Sequence, residues 1–229
     1  MKSHMCRVFS TGILVALAGC AATPPPTLQT GPDAEVTVDG LVRMDNPVVD
    51  VAYHKPDMDL TPYTRVMLDP VEVAYQKDPG NRMRSTGAGA NDNFALSPSQ
   101  METLKDMFRE AVVEALTKDD GYELTTEPAP DVLRITASLI DLVVSVPTRS
   151  TGRQDMYARS YGLVTLILEL RDSQSGEILA RAGDRRDPTR QTSAGLARVS
   201  PTFIRSDVRR MFQYWGNLLR ERLDAFRVM

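Results

Sequence analysis

The chain has 229 residues, a formal net charge of −3, 42% hydrophobic and 25% charged residues, the balance of an ordinary globular chain long enough for one good-sized domain. Its only cysteines are Cys6 and Cys20 and its only histidines His4 and His54, so the body of the chain has no disulfide, no thiolate nucleophile and no multi-histidine or cysteine metal site. The acidic balance and single tryptophan argue against a nucleic-acid partner.

Lys2 and Arg7 precede an uncharged, mostly apolar stretch from Val8 to Gly19, about a dozen residues where a spanning helix needs roughly 20. A basic start, a short apolar middle and small residues at its end are the parts of an export signal. The run closes on Leu17, Ala18, Gly19 and Cys20, which resembles the bacterial lipobox. That resemblance implies removal of residues 1–19 and acylation of Cys20 with diacylglyceryl and palmitate-type chains. The plain alternative is an ordinary signal peptide that holds a cysteine. Each buried methylene contributes about 0.8 kcal/mol and one chain binds only marginally, so several chains on one residue make a stable anchor. Ala21 stands where an aspartate marks inner-membrane retention in enteric lipoproteins, which favours the periplasmic face of the outer membrane.

Residues 20–38 are expected to be the lipidated cysteine and a Pro/Thr-rich tether, since "AATPPPTLQTGPDA" has almost nothing to bury. Residues 39–229 are expected to form a single α+β domain. Its start, through Tyr63, has two short apolar runs and reads as irregular structure and short strands. Thr64 to Tyr75 reads as the first firm strand, with a change of phase at Asp69-Pro70 that predicts a bulge, a bend or an edge position. Ser97, Pro98 and Gln100 form a capping box and first turn ahead of an apolar stripe, Met101, Leu104, Phe108, Ala111, Val112, Ala115 and Leu116. "YELTT" is a short strand, and "VLRITASLIDLVVSV" a long one whose alternation changes phase at Ile140-Asp141. "YGLVTLILELRD" and "EILARAGD" make a hairpin across "SQSG". An amphipathic helix from about Thr202 to Arg227 closes the chain, with Ile204, Val208, Met211, Trp215, Leu218, Leu219, Leu223 and Phe226 on a broad apolar face. The order predicts an α+β fold: a single mainly antiparallel sheet of about 4–5 strands with two amphipathic helices packed on one face.

Residues 20–145 hold 10 Lys/Arg against 21 Asp/Glu, whereas residues 146–229 hold 15 arginines against 9 acids. The two halves either neutralise each other in the fold or leave an arginine face for an anionic partner. Arg149, Arg153 and Arg159 in one polar excursion, with Arg185, Arg186 and Arg190 after the hairpin, are the candidate binding residues. Asp69 and Asp141 stand at the two phase changes and would make a coupled acidic pair if their strands were neighbours. His54 lies near Asp57 and Asp59 but has no nucleophile beside it.

"YHKPDMDLTPYTRVMLDPVEV" (Tyr53 to Val73), "EPAPDVLRITASLIDL" (Glu127 to Leu142) and "ELRDSQSGEILARAGDRR" (Glu169 to Arg186), closing with a tryptophan-bearing helix, resemble a bacterial lipoprotein family, domain-of-unknown-function family 3313. The resemblance implies no assigned reaction. The expected role is therefore that of a lipid-anchored envelope protein that binds or assembles without catalysis. It needs no cofactor or metal and binds no nucleic acid; its partners are the membrane and another envelope protein or cell-wall component. An envelope hydrolase acting on cell-wall polymer, or a structural subunit of an oligomeric outer-membrane assembly, are the alternatives.

Overall fold

The computed structural model describes residues 24–77, 95–145, 156–190 and 195–227. Cys20 and the lipobox residues, together with Arg149 and Arg153, lie outside them. Three short strands, Thr27–Leu28 (β1), Val42–Asp45 (β2) and Val51–His54 (β3), open the chain. They pair antiparallel, Thr27 opposite Asp45 and Arg43 opposite Tyr53, so part of the segment expected as tether is built into the sheet. Gln29 holds it there, donating its side-chain amide to Asp45 at 2.9 Å and its backbone N–H to the Arg43 carbonyl.

Arg65–Leu68 (β4) and Glu72–Tyr75 (β5) follow, then Pro98–Thr117 (α1), Glu123–Leu124 (β6) and the long Val132–Val144 (β7). The expected single strand from Thr64 is thus two strands, both parallel to β7, with Leu68 opposite Ile135 and Glu72 opposite Ser138. Four steps on one side match three on the other, which is the bulge demanded by a proline that cannot donate to the ladder. The second phase change is also a bulge: Ile140 opposes Thr165 and Val143 opposes Leu163, and Asp141 takes the left-handed conformation at φ 51°. Gly162–Asp172 (β9) and Ile178–Arg186 (β10) form the hairpin, and the Asp172 carboxylate ties its turn by accepting from the Gln174 and Ser175 backbone N–H groups at 3.1 and 2.7 Å. Met156–Ala158 (β8) and Ala197–Val199 (β11) pair only with each other, ahead of the closing helix Pro201–Arg227 (α2).

These pairings correct the expected fold. The described residues hold a nine-stranded mixed sheet, ordered β1-β2-β3-β10-β9-β7-β4-β6 with β5 also on β7, and a second two-stranded sheet, rather than one mainly antiparallel sheet of 4–5 strands. Two causes produce the difference. Strands of two to four residues leave little period to detect, and α1 is a crossover long enough to return β7 parallel to β4 and β5.

The core lies between the sheet and the helices. Leu133, Ile135, Ala137 and Leu139 of β7 and Val164, Leu166, Leu168 and Leu170 of β9 join Phe108, Val112 and Leu116 of α1 and Phe212, Trp215 and Leu223 of α2 in one cluster. Phe108 meets Phe212 edge-on at 5.3 Å between ring centroids, and Phe212 stacks on Trp215 at 5.9 Å. Burying each ring stabilises by roughly 1.5–3 kcal/mol. The helices cross where Gly216 of α2 faces Ala111 and Ala115 of α1: a Cβ at Gly216 would stand 2.8 Å from the Ala111 carbonyl oxygen.

Candidate functional site

Among the described residues only two charged side chains are buried, Asp184 at the end of β10 and Asp207 near the start of α2. A buried carboxylate must be matched by donors, and two of the arginines singled out in the sequence, Arg186 and Arg190, are among the donors here. Asp184 Oδ2 accepts from Arg186 Nε at 2.5 Å and from Trp215 Nε1 at 2.7 Å. Arg186 continues to the Tyr214 hydroxyl at 3.0 Å, its guanidinium 4.0 Å above that ring. Asp207 accepts from Arg210 Nη1 at 2.8 Å and from the Arg190 backbone N–H at 3.2 Å, with Arg190 Nε at 3.9 Å. Arg185 donates its backbone N–H to Asp50 at 2.8 Å, and its side chain is exposed. Arg159 is exposed beyond β8. Tyr161 lies nearby, and burial, then the Asp207 and Asp187 charges, push its hydroxyl above its ordinary value.

The arrangement is a braced end of the domain. Asp184 ties Arg186 and the end of β10 to Trp215 of α2, Asp207 of α2 holds the Arg190 backbone, and Arg185, Arg190 and Arg159 remain at the surface.

The acidic pair is not brought together. Asp69 accepts both bonds of Arg134 Nε, at 2.8 and 3.1 Å, and the Thr136 hydroxyl at 2.9 Å, and its own N–H donates to the Ile135 carbonyl. Asp141 sits six residues further along β7, about 20 Å at strand rise. His54 presents Nδ1 to the Lys55 carbonyl at 2.7 Å and its ring edge-on to Phe226 at 5.4 Å, whereas Asp59 accepts from the Thr61 N–H and hydroxyl. No group of three or more His, Cys, Asp or Glu among the described residues could hold a metal ion.

Sequence reasoning missed a polar row on the sheet face opposite the helices. Asp69 with Arg134 begins it. Glu169, one strand over, accepts from Arg181 Nε at 2.7 Å and from Arg171, and Arg181 reaches Asp39 at 3.2 Å. Burial pushes the Glu169 carboxyl up, and the Arg181 and Arg171 hydrogen bonds outweigh it to leave it below the ordinary value. On the next strands Glu35 accepts from the Tyr53 hydroxyl at 2.5 Å and from Arg43 at 2.6 Å. The signal for this row was the even-numbered residues of β7, Arg134 and Thr136, read as the outward parity. An open groove of about 570 Å³ borders one end, lined by Leu68, Asp69, Arg109, Leu124 and Glu127 among others.

No curated protein matches the chain. Among solved structures, a PelC dodecamer subunit from Paraburkholderia phytofirmans is similar at 10% identity and TM-score 0.36, covering 74% of this chain and 94% of that one. A neuraminyllactose-binding hemagglutinin homolog from Helicobacter pylori is similar at 12% identity and TM-score 0.37, covering 76% and 97%. A Xanthomonas campestris protein of another unknown-function family is similar at 12% identity and TM-score 0.36, covering 76% and 89%. Likeness at these scores is too loose to transfer a ligand or an assembly. The family described as "Protein of unknown function (DUF3313)" matches residues 39–218, most of the chain, and the protein belongs to that family.

Proposed function

We propose that the protein is a bacterial envelope lipoprotein, exported and held by lipid on Cys20 at the periplasmic face of the outer membrane, and that it acts by binding another envelope component. The observation that carries this reading is the order Leu17, Ala18, Gly19, Cys20 behind a short apolar run and two cations. Supporting it, no helix of the described residues is long and apolar enough to cross a membrane. An acylated cysteine would supply the attachment instead. The braced end around Asp184 and Asp207 supports a binding role, because it offers exposed arginines on a rigid scaffold.

Metabolic labelling with radioactive palmitate tests the anchor. Label is expected on the full chain and lost in Cys20→Ser, with the protein moving out of the membrane fraction; equal labelling of both would overturn it. In-cell crosslinking followed by pull-down tests the role. A distinct envelope partner supports binding, whereas crosslinks only between copies of this chain would replace that reading with a structural assembly.

A further inference from the structure

Strand direction places the chain's entry into the sheet at the end that carries the small second sheet. Thr27 opposes Asp45, Val51 opposes Gly183, and Arg186 opposes Val164, two residues into β9. The start of β1, the β2–β3 turn, the end of β10 and the start of β9 therefore point to the same end of the sheet, with Thr27 on the cross-strand row of Gly183 and Ile167. Four interstrand steps of about 4.8 Å lead from Thr27 to Ile167, and five residues of about 3.3 Å back along β9 put Thr27 roughly 25 Å from Gly162. The small sheet is fastened at this same end, since the Tyr161 N–H donates to Thr189 Oγ1 and the Tyr161 hydroxyl to the Arg198 carbonyl, both at 2.7 Å. The first turn of α2 joins it through Ile204, which packs against Tyr161 and Ala197.

The exposed surface there mixes rings and cations. Tyr157 is 55% exposed, Phe203 49% and Leu196 36%. Arg198 stands directly opposite Tyr157 in the β8–β11 ladder, and Arg159 follows Tyr157 by two residues; both arginines are exposed. The Asp184 and Asp207 carboxylates are buried, and Asp187, whose charge also reaches Tyr161, is exposed. Amphipathic rings beside arginines are the chemistry of contact with an anionic headgroup layer.

Chain length selects the occupant. Seven residues lead from Cys20 to Thr27, a reach of at most about 25 Å. Resting on the lipid-anchor reading above, that reach keeps the Thr27 end of the domain beside the bilayer. The geometry points to a membrane-docking face: Tyr157, Leu196 and Phe203, with Arg159 and Arg198, lie on the anionic headgroups of the membrane that holds Cys20. The docked domain stands with the β1–β2 turn, which carries the fully exposed Val38, pointing away from the lipid.

The acylated protein has no free thiol, so single cysteines report its orientation. Acylated full-chain Tyr157→Cys, Phe203→Cys and Val38→Cys, each carrying an environment-sensitive fluorophore, are reconstituted on vesicles of phosphatidylcholine and phosphatidylglycerol. All three positions are exposed, and circular dichroism confirms that each labelled protein is folded. Labels at 157 and 203 are expected to be quenched by nitroxide-bearing lipid and to be at least about threefold less accessible to aqueous iodide than the label at 38, as for rings seated at the headgroup boundary. Equal quenching at all three positions on protein that floats with the vesicles overturns the docking and leaves the anchor standing. Shielding from iodide without lipid quenching overturns it in favour of contact between copies. Protein that takes up no palmitate and does not float overturns anchor and docking together.

Discussion

Trp215 donates its indole N–H to Asp184 at 2.7 Å, and both side chains are buried at the contact between the end of β10 and the middle of α2. One oxygen of Asp184 also takes the Arg186 bond, so α2 is fastened to the sheet by a charged acceptor with two donors. Trp215→Phe keeps the ring and removes one donor, and is expected to lower stability by about 1–2 kcal/mol. Asp184→Ala strands the indole N–H and the guanidinium together and is expected to cost roughly 2–4 kcal/mol. Urea unfolding followed by circular dichroism measures both; equal losses would mean that the acceptor's charge contributes nothing beyond the indole bond.

The helix crossing has room for no side chain at Gly216. Its missing Cβ would sit 2.8 Å from the Ala111 carbonyl oxygen and 3.2 Å from the Ala115 Cβ. Alanine gains about 1 kcal/mol of helix propensity over glycine, and the forced separation of α1 and α2 is expected to exceed that gain. Gly216→Ala should therefore unfold at lower urea than the parent, and Gly216→Leu should fail to give a cooperative transition. A Gly216→Ala protein more stable than the parent would show that the helices can move apart freely.

Asp141 occupies a left-handed conformation at φ 51° inside the β7 bulge. Aspartate tolerates that region and a β-branched residue does not. Asp141→Gly is expected to change stability by less than about 1 kcal/mol, and Asp141→Val to lower it by roughly 1–3 kcal/mol. Thermal unfolding of the two variants side by side decides the point, and equal midpoints would place the cause elsewhere.

Stability should fall at both ends of the pH scale. Hydrogen bonds from Arg65, and then from Thr64, hold the Asp131 carboxyl at about 2 against an ordinary value of 3.8, burial opposing them. A depressed carboxylate contributes stability present above about pH 4 and lost as pH falls towards 2. Burial, then the hydrogen bond to Asp172, pushes the Tyr63 hydroxyl up to about 12, so its contribution is present below about pH 10 and is lost as pH rises towards 12. Melting temperature against pH is expected to show a shallower acid limb in Asp131→Asn and a shallower alkaline limb in Tyr63→Phe. Limbs identical to those of the parent would remove both groups from the account.

The capping box at Ser97 and Gln100 was legible because every one of its contacts is local, and both of its bonds form. The two phase changes at Asp69-Pro70 and Asp141 were legible for the same reason, since alternation is a property of neighbouring residues. The candidate site was less so. Arg185, Arg186 and Arg190 were singled out as surface cations, but Asp207, which binds Arg190, and Asp184, which binds Arg186, carry no sign in the sequence that they are buried. Phe212 was passed over on α2 yet is fully buried, because a stripe read from spacing does not say where its centre will fall against a neighbouring helix.

By itself the sequence determined the place and order of the helices, the long strands and their bulges, the family, and the residues available for chemistry. The tertiary structure alone decided that β7 runs parallel to β4 and β5, that Asp69 meets Arg134 rather than Asp141, and that β1 starts towards the end of the sheet that carries the β8–β11 pair. Each of these depends on which distant segments become hydrogen-bonded neighbours. A strand's alternation specifies its two faces, but the direction and identity of its partner are set only when the whole sheet closes over its core.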